Sequence, residues 1–173
     1  MKKTLRIAIT GPESTGKSML CQQLAAQLGQ VWVPEYARDY IDGLNRDYNQ
    51  QDILAIAKGQ IALEEESARL SPRILFCDTD LLVTKIWSLH KYGNCDPWIL
   101  EQILLHRYDF YLLCNVDLPW EYDKQREHPH LREFFFEWYQ RELQQYGFAH
   151  GIVSGHGDQR LQAALNLIEH LIT

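Results

Sequence analysis

Short apolar runs alternate along the chain with longer segments in which apolar residues recur every three or four positions. The short runs predict strands at residues 5–10, 31–33, 73–77, 109–114 and 147–153. The first of these runs is typical of a buried strand, and the segments between the runs predict helical crossovers. Strands joined by helical crossovers form a parallel sheet with helices on both faces. The pattern therefore predicts an α/β fold with a five-stranded parallel sheet.

The segments between the strands carry the spacing of amphipathic helices. Apolar residues at 20, 24, 25 and 28 predict a first helix over residues 18–28, with Gly29 as a suitable end. Pro34 limits the second strand, and the VPEYARDYI segment leads into a second helix. Further helices are predicted at residues 52–70, 81–92, 97–106, 131–146 and 160–172. Asp52 is an N-cap candidate or a first-turn acid of the long helix.

Residues 5–18, LRIAITGPESTGKS, carry the most specific chemistry in the chain. Gly11 to Ser18 fit the G-x-x-x-x-G-K-[ST] phosphate-binding pattern, with a strand before it and a helix after it. Glycines at 11 and 16 let backbone N–H groups turn inward toward a polyphosphate. We expect Lys17 to reach the β and γ phosphates and Ser18 to ligate Mg²⁺. The pattern predicts a P-loop NTPase three-layer sandwich that binds ATP or GTP through Gly11, Glu13, Ser14, Thr15, Gly16, Lys17, Ser18 and Met19.

Two aspartates follow the third strand in the sequence Asp78-Thr79-Asp80. In a P-loop protein, an aspartate at the end of an apolar strand holds Mg²⁺, usually through a water, opposite the P-loop hydroxyl. Asp78 is therefore predicted to bind Mg²⁺ together with Ser18. Asp80 can cap the next helix or act in the site, and the two roles are compatible.

Polar and aromatic residues gather where the second strand gives way to a helix, at the edge where α/β folds bind ligands. They are Tyr36, Arg38, Asp39 and Tyr40. Aromatic rings in this region suit a planar or cationic base through stacking and cation–π attraction, and they could equally be core residues. The candidate rings are Tyr36, Tyr40, Tyr48 and Trp120.

The charged segment 116–130, VDLPWEYDKQREHPH, lies between the fourth strand and a helix. Small-molecule kinases keep a lid at such a position, which closes over ATP and excludes water. Arg126 and Arg132 are then candidates to bind the nucleotide and to stabilise the transferring phosphoryl group. The alternative is that these arginines form surface salt bridges to Glu127 or Glu133.

The composition fits one globular domain over residues 1–173, at 46% hydrophobic and 23% charged residues. A formal net charge of −6 argues against a nucleic-acid partner. Four cysteines without a C-x-x-C pair argue against a zinc site and a disulfide framework. The N-terminal apolar run leads straight into the P-loop, so we expect a strand rather than a signal peptide, and a cytoplasmic protein with no membrane partner. The sequence leaves the oligomeric state open.

Several motifs together resemble the ribosylnicotinamide kinase domain of NadR-type proteins. They are GPESTGKS, VPEYARDYI, the Tyr48-x-x-x-Asp52 helix start, GQIALEEE, FCDTD and DLPWEYDKQREHP, and they cover essentially the whole chain. The resemblance implies phosphoryl transfer from ATP, with Mg²⁺, to the 5′-hydroxyl of nicotinamide riboside, which gives nicotinamide mononucleotide in NAD salvage. Lys124 stands after Asp123 where this family usually has a glycine.

Transfer to a hydroxyl needs a carboxylate base, for which the chain offers Glu35 and Asp80. VPEYAR also resembles the matching segment of deoxynucleoside kinases, where a glutamate at the end of the strand is the base, and here that glutamate is Glu35. A competing role for Glu35 is an ion pair with Arg38. The resemblance implies catalytic roles for Lys17, Glu35, Asp80 and Arg126, and substrate contacts by Glu35, Tyr36, Arg38, Tyr40, Asp80 and Trp120.

Two other functions stay open beside a nicotinamide riboside kinase. The chain could phosphorylate another nucleoside or small hydroxylated metabolite. It could also be a sensor that binds ATP and a pyridine nucleotide without turnover. The lid and the paired acids favour an enzyme, because a binding module needs neither a base nor the exclusion of water.

Overall fold

In a computed structural model that describes residues 4–172, five strands form one sheet. The strands are β1 (Leu5–Thr10), β2 (Val31–Val33), β3 (Ile74–Asp78), β4 (Phe110–Cys114) and β5 (His150–Val153). Their spatial order is β2-β3-β1-β4-β5, and every pairing between neighbours is parallel. The fold class predicted from the alternation of strands and helices is confirmed.

Seven helices in the described part of the chain cover both faces of this sheet. They are α1 (Lys17–Leu28), α2 (Tyr36–Asp42), α3 (Gln50–Ala68), α4 (Leu81–Tyr92), α5 (Pro97–Leu105), α6 (Arg132–Gln145) and α7 (Gly157–Ile172). One apolar core joins strand residues such as Ala8 and Leu75 to α3, α4, α5 and α6. The other joins residues such as Ile7 and Phe76 to α1 and α7. None of the helices within residues 4–172 is long and apolar enough to cross a membrane.

Local capping decides where the long helix α3 begins. The Asn49 side chain accepts hydrogen bonds from backbone N–H groups of the first turn, and the Asp52 carboxylate accepts one from the Asn49 N–H at 2.7 Å. This reciprocal pair is a capping box, so α3 begins at Gln50, two residues before the predicted start. Asp52 is therefore the first-turn acid of the two roles expected for it.

The strand order brings the chemistry-bearing segments to one edge of the sheet. β1 lies between β3 and β4, and Ile9 is opposite Asp78 in the register of β1 and β3. Parallel strands end at a common edge, where open α/β sheets bind ligands. The P-loop after β1, Asp78 at the end of β3 and the segment after β4 therefore meet at this edge.

Candidate active site

The loop between β1 and α1 turns through residues with left-handed backbone. Gly11 has a φ of 134°, Ser14 of 55° and Gly16 of 74°. A Cβ on Gly11 would lie 3.0 Å from the carbonyl oxygen of Cys114, and one on Gly16 would lie 2.9 Å from Leu118 Cδ1. The left-handed backbone favours glycine at both positions, and at Gly11 the approach to the Cys114 backbone favours it as well. The free N–H groups and the dipole of the α1 N-terminus favour an anion here.

Side-chain hydrogen bonds hold this loop in place. Thr15 Oγ1 and Lys17 Nζ both donate to the carbonyl oxygen of Pro12, at 2.8 and 2.7 Å. Arg160 on α7 is 5% exposed, and it donates to the Thr15 carbonyl and to Asp117 Oδ1, both at 2.7 Å. The sequence reasoning missed Arg160, because an arginine near the start of a helix is ordinarily a surface residue.

Asp78 and Ser18 fit the predicted magnesium site. Asp78 is 2% exposed, and its Oδ1 has no hydrogen-bond partner among residues 4–172. Burial raises the pKa of Asp78 to about 6, while the Ser18 hydroxyl opposes this rise. A buried carboxylate oxygen without a donor is costly unless it binds a cation, and oxygen ligands are those that Mg²⁺ prefers.

The protein alone offers few metal ligands. Within the described residues, no group of three or more His, Cys, Asp or Glu side chains could hold a metal ion. One carboxylate and one hydroxyl suit a Mg²⁺ ion that also binds the phosphates of a nucleotide, because Mg²⁺ is usually held by one or two carboxylates together with substrate phosphates. The donor set of Asp78 and Ser18 is of this kind.

A cavity of about 820 Å³ extends from the P-loop to the start of α2 and under the segment after β4. A volume of this order is typical of small-molecule sites. The cavity brings the P-loop, one candidate base and one candidate lid arginine together. Of the predicted site residues, its lining contains Gly11, Glu13, Ser14, Thr15, Gly16, Lys17, Ser18, Met19, Glu35, Arg38 and Arg126.

The two candidate bases lie in different surroundings. Glu35 lines the 820 Å³ cavity and also a cavity of about 30 Å³ next to Asp80. Asp80 is 1% exposed, caps α4 and accepts hydrogen bonds from the Thr10 hydroxyl at 2.7 Å and the Leu82 N–H at 3.2 Å. Burial raises the pKa of Asp80 to about 6. The geometry favours Glu35 as the carboxylate that an acceptor in the large cavity can reach.

Three predicted substrate-binding aromatics are not among the described residues that line the 820 Å³ cavity. Tyr36 packs against the backbone of α3. Tyr40 donates its hydroxyl to Asp52 Oδ1 at 2.9 Å. The Trp120 ring lies 5.7 Å from the guanidinium carbon of Arg132. All three rings contact other protein groups, none of them belongs to either apolar core, and their substrate contacts stay a prediction.

Tyr48 and Trp87 form an aromatic pair in the wall of the cavity. Their rings meet edge to face with centroids 4.8 Å apart, and Trp87 Nε1 donates to the Tyr48 hydroxyl at 2.9 Å. The Tyr48 hydroxyl in turn donates to Glu127 Oε1 at 3.0 Å. Tyr48 was among the aromatic candidates, and Trp87 also packs against the apolar core, which is typical of a tryptophan at helical spacing.

The predicted lid, residues 116–130 between β4 and α6, contacts the P-loop. The Glu13 carboxylate accepts hydrogen bonds from the N–H groups of Glu127 and His128, both at 3.1 Å. The P-loop therefore holds the lid through its own side chain. The sequence did not predict this contact, because the P-loop pattern allows any residue at position 13.

Arg126 of the lid and Arg132, the first residue of α6, both approach the P-loop. Arg126 Nη1 lies 3.4 Å from Ser14 Oγ, and Arg126 lines the cavity. Arg132 Nη1 donates to the carbonyl oxygens of Ser14 and Leu118 at 3.1 and 2.9 Å, outside the cavity lining. Arg126 can therefore reach a bound phosphate, while Arg132 fixes the lid to the loop.

The lid also contacts α2. Arg38 Nη1 donates to Asp123 Oδ2 at 2.9 Å, and Lys124 Nζ lies 2.7 Å from Asp42 Oδ1. Lys124 is not among the described non-glycine residues with a positive φ. A lysine therefore fits at the position where a glycine was usual in the resembled family, and here it adds an ion pair.

A family profile described as an AAA domain matches residues 6–160. The trifunctional NAD biosynthesis/regulator protein NadR of Salmonella typhimurium is 29% identical over 123 residues, which are 68% of this chain. The chain spans about 30% of the length of this curated relative.

Solved structures share the fold over nearly the whole chain. A crystal structure of NadR protein in complex with NR has a TM-score of 0.81 at 23% identity, over 97% of this chain and 50% of that one. A deoxyadenosine kinase from M. mycoides has a TM-score of 0.64 at 15% identity, over 96% of this chain and 100% of that one. At these identities the structures support the P-loop α/β architecture and no more.

Proposed function

We propose that this chain, which belongs to the AAA domain family, is an ATP-dependent kinase for nicotinamide riboside, which it converts to nicotinamide mononucleotide. One observation carries the proposal: a single cavity of about 820 Å³ joins the P-loop to Glu35 and to the Tyr48–Trp87 pair. A polyphosphate site, a carboxylate and an aromatic wall are what phosphorylation of a nucleoside requires. The relationship to a NAD biosynthesis protein supports nicotinamide riboside as the nucleoside.

The P-loop end of the cavity binds the ATP phosphates. Its backbone N–H groups and Lys17 face the β and γ phosphates, and Arg126 approaches from the lid. Cationic groups at this place stabilise charge on the transferring phosphoryl group, which needs no covalent enzyme intermediate. The lid excludes water, so that the phosphoryl group passes to the acceptor hydroxyl rather than to solvent.

Mg²⁺ would be held by Ser18, which lines the P-loop end of the cavity, and by Asp78, which is buried and is not among the lining residues. When bound, the ion would neutralise charge on the phosphates. The unpartnered Oδ1 of Asp78 supports this assignment. Asp78 must be ionised to attract the cation, which it is at neutral pH because its pKa is about 6.

Glu35 is the proposed base at the acceptor end. It accepts the proton of the 5′-hydroxyl as the new P–O bond forms and the bond to the leaving ADP breaks. A cationic nicotinamide ring suits the Trp87 side of the aromatic wall. On the Tyr48 side, Lys91 Nζ already lies 3.7 Å from the centroid of the ring and 3.7 Å from Glu127 Oε1. The proposed acceptor site thus combines a carboxylate base with an aromatic face for the ring.

Mass spectrometry of reaction products tests the proposal. Purified protein is incubated with ATP, Mg²⁺ and one of several nucleosides, and nicotinamide riboside is expected to be the acceptor converted most rapidly. Conversion of another nucleoside alone would replace the acceptor, and binding of ATP without any product would favour a sensor. We propose a cytoplasmic location, in keeping with a substrate and a cofactor that are small metabolites.

A further inference from the structure

The GQIALEEE motif of α3 takes no part in the proposed chemistry, yet two of its polar side chains are buried. Gln60 is 3% exposed and Glu64 is fully buried. They lie one helical turn apart, and Gln60 Nε2 donates to Glu64 Oε1 at 3.1 Å. Buried polar groups of this kind are costly unless each has a partner, so their other contacts show what they hold.

Gln60 holds the first backbone N–H of α2. Its Oε1 accepts a hydrogen bond from the Tyr36 N–H at 2.9 Å. This N–H has no partner inside its own helix, because the first N–H groups of a helix lack a preceding turn. Within the described chain, the Glu35 side chain makes no capping bond to α2, so Gln60 supplies the missing acceptor.

Glu64 fixes which way the Gln60 amide points. Glu64 Oε1 also accepts from the Tyr108 hydroxyl at 2.9 Å, and Glu64 Oε2 lies 2.7 Å from His106 Nε2. Because the Glu64 carboxylate accepts hydrogen bonds, only the NH₂ end of the Gln60 amide can donate to it. The carbonyl end of Gln60 must then face the Tyr36 N–H.

The neighbouring residue Gly59 fixes the Tyr36 ring. A Cβ on Gly59 would lie 2.1 Å from Tyr36 Cε1 and 2.4 Å from Cζ. The ring therefore lies directly on the backbone of α3, at a place that only glycine leaves open. Gly59 and Gln60 together hold both the ring and the N–H of Tyr36, the residue that follows Glu35.

We propose that Gln60, oriented by Glu64 and assisted by Gly59, is a positioning residue that sets the place of Glu35 in the cavity. The proposal rests on the proposed role of Glu35 as the base. Gln60 and Glu35 also line the same 30 Å³ cavity, so both residues border one small space. A shift of about 1 Å in such a group can cost on the order of 10²-fold in rate.

A double-mutant cycle measures this coupling. Gln60→Leu is expected to lower kcat for phosphoryl transfer about 10- to 100-fold, with the KM for ATP nearly unchanged. In a Glu35→Gln background the same change should lower kcat by less than about threefold, because the base is already lost. Ile103→Val in the core on α5 is the control, which should lower the melting temperature and leave kcat unchanged. An equal loss of kcat from Gln60→Leu in both backgrounds would overturn the proposal.

Hydrogen exchange at the Tyr36 amide separates this inference from the proposed function. Its exchange should be slow in the wild type and accelerate in Gln60→Leu, whether or not nicotinamide riboside is the acceptor. Unchanged exchange contradicts the positioning role, whereas a wild type without kinase activity contradicts only the proposed function. If Gln60→Leu does not fold, Gly59→Ala replaces it, since alanine favours the helix by about 0.5–1 kcal/mol and only the contact with Tyr36 opposes it. Gly59→Ala should then lower kcat and accelerate exchange at Tyr36, and normal values for both would reject the inference.

Discussion

Arg38 Nη1 donates to Asp123 Oδ2 at 2.9 Å, so the arginine of α2 is ion-paired with the lid rather than with Glu35. Burial alone would lower the pKa of Arg38, but the bond to Asp123 and the attraction of the Asp123, Glu35 and Asp42 carboxylates together raise it. Arg38 therefore forms its ion pair with Asp123 and not with Glu35, the competing role considered for Glu35. Glu35 is left facing the cavity, and the acceptor side of the site is tied to the lid.

Loss of this lid contact should weaken catalysis more than stability. Asp123→Asn is expected to lower kcat/KM about two- to fivefold, since a partly exposed ion pair contributes on the order of 0.2–1 kcal/mol. The melting temperature should change little. Lys124→Ala is the matched control, because the Lys124 side chain is 71% exposed in its pair with Asp42 and should contribute less. Equal kinetic effects of the two variants would argue against a specific role for the Arg38–Asp123 pair.

Lys17 is expected to act on the chemical step. Lys17→Ala removes the charge that faces the β and γ phosphates, and turnover should fall by several orders of magnitude. The fold should persist, because the main contact of Lys17 is a single hydrogen bond to the Pro12 carbonyl. Steady-state kinetics and a melting curve test this, with Lys58→Ala on exposed α3 surface as the control. Near-normal transfer by Lys17→Ala would disprove the phosphate-site assignment.

We expect Asp78 to lower the stability of the nucleotide-free protein and to be needed for Mg²⁺ binding. The pKa of Asp78 is about 6 in the folded protein and about 3.9 in an unfolded chain. Between these pH values the Asp78 carboxyl group is mostly protonated in the folded protein and mostly ionised in the unfolded chain. Its contribution to the free energy of unfolding therefore falls as the pH rises from about 4 to 6. Asp78→Asn should raise the melting temperature of the nucleotide-free protein at pH 8 and have less effect at pH 4.

The same variant should need far more Mg²⁺ for activity, because the amide keeps the shape and loses the charge. In the wild type, the Mg²⁺ requirement should rise as the pH falls below about 6 and Asp78 takes up a proton. Magnesium titrations at pH 5.5 and 7.5 measure both effects. A variant that is less stable at pH 8 and unchanged in its Mg²⁺ dependence would show that Asp78 is structural.

Much of the fold followed from the sequence because the signals were local. The alternation of apolar runs predicted every strand of the sheet, and the G-x-x-x-x-G-K-S pattern placed the loop between β1 and α1. Helix starts were predicted less accurately. The pattern placed the start of α3 at Asp52, whereas Asn49 is the N-cap and Asp52 completes a reciprocal capping pair with it. A cap is decided by side-chain geometry, which spacing does not contain.

The site was predictable where one segment carries it and less so where distant segments meet. Trp87 packs against the apolar core, and its place beside Tyr48 depends on how α4 packs against the loop before α3. Arg160 supports the P-loop from 145 residues further along the chain, a contact that no local pattern signals. Tyr36 and Tyr40 stand in a polar segment that suggested ligand contacts, and their contacts in the structure are to α3 and Asp52, which the segment alone did not predict.

Single-turnover transfer from ATP to nicotinamide riboside, measured beside ATP affinity, tests the central claim most directly. The wild type should form nicotinamide mononucleotide, and Glu35→Gln should slow its formation about 10²- to 10⁴-fold while ATP binds with near-normal affinity. Asp80→Asn should slow transfer less, because Asp80 is buried and bonded to Thr10 and Leu82. Absence of nicotinamide mononucleotide from the wild-type reaction, or abolished transfer in Asp80→Asn with normal transfer in Glu35→Gln, would contradict the account.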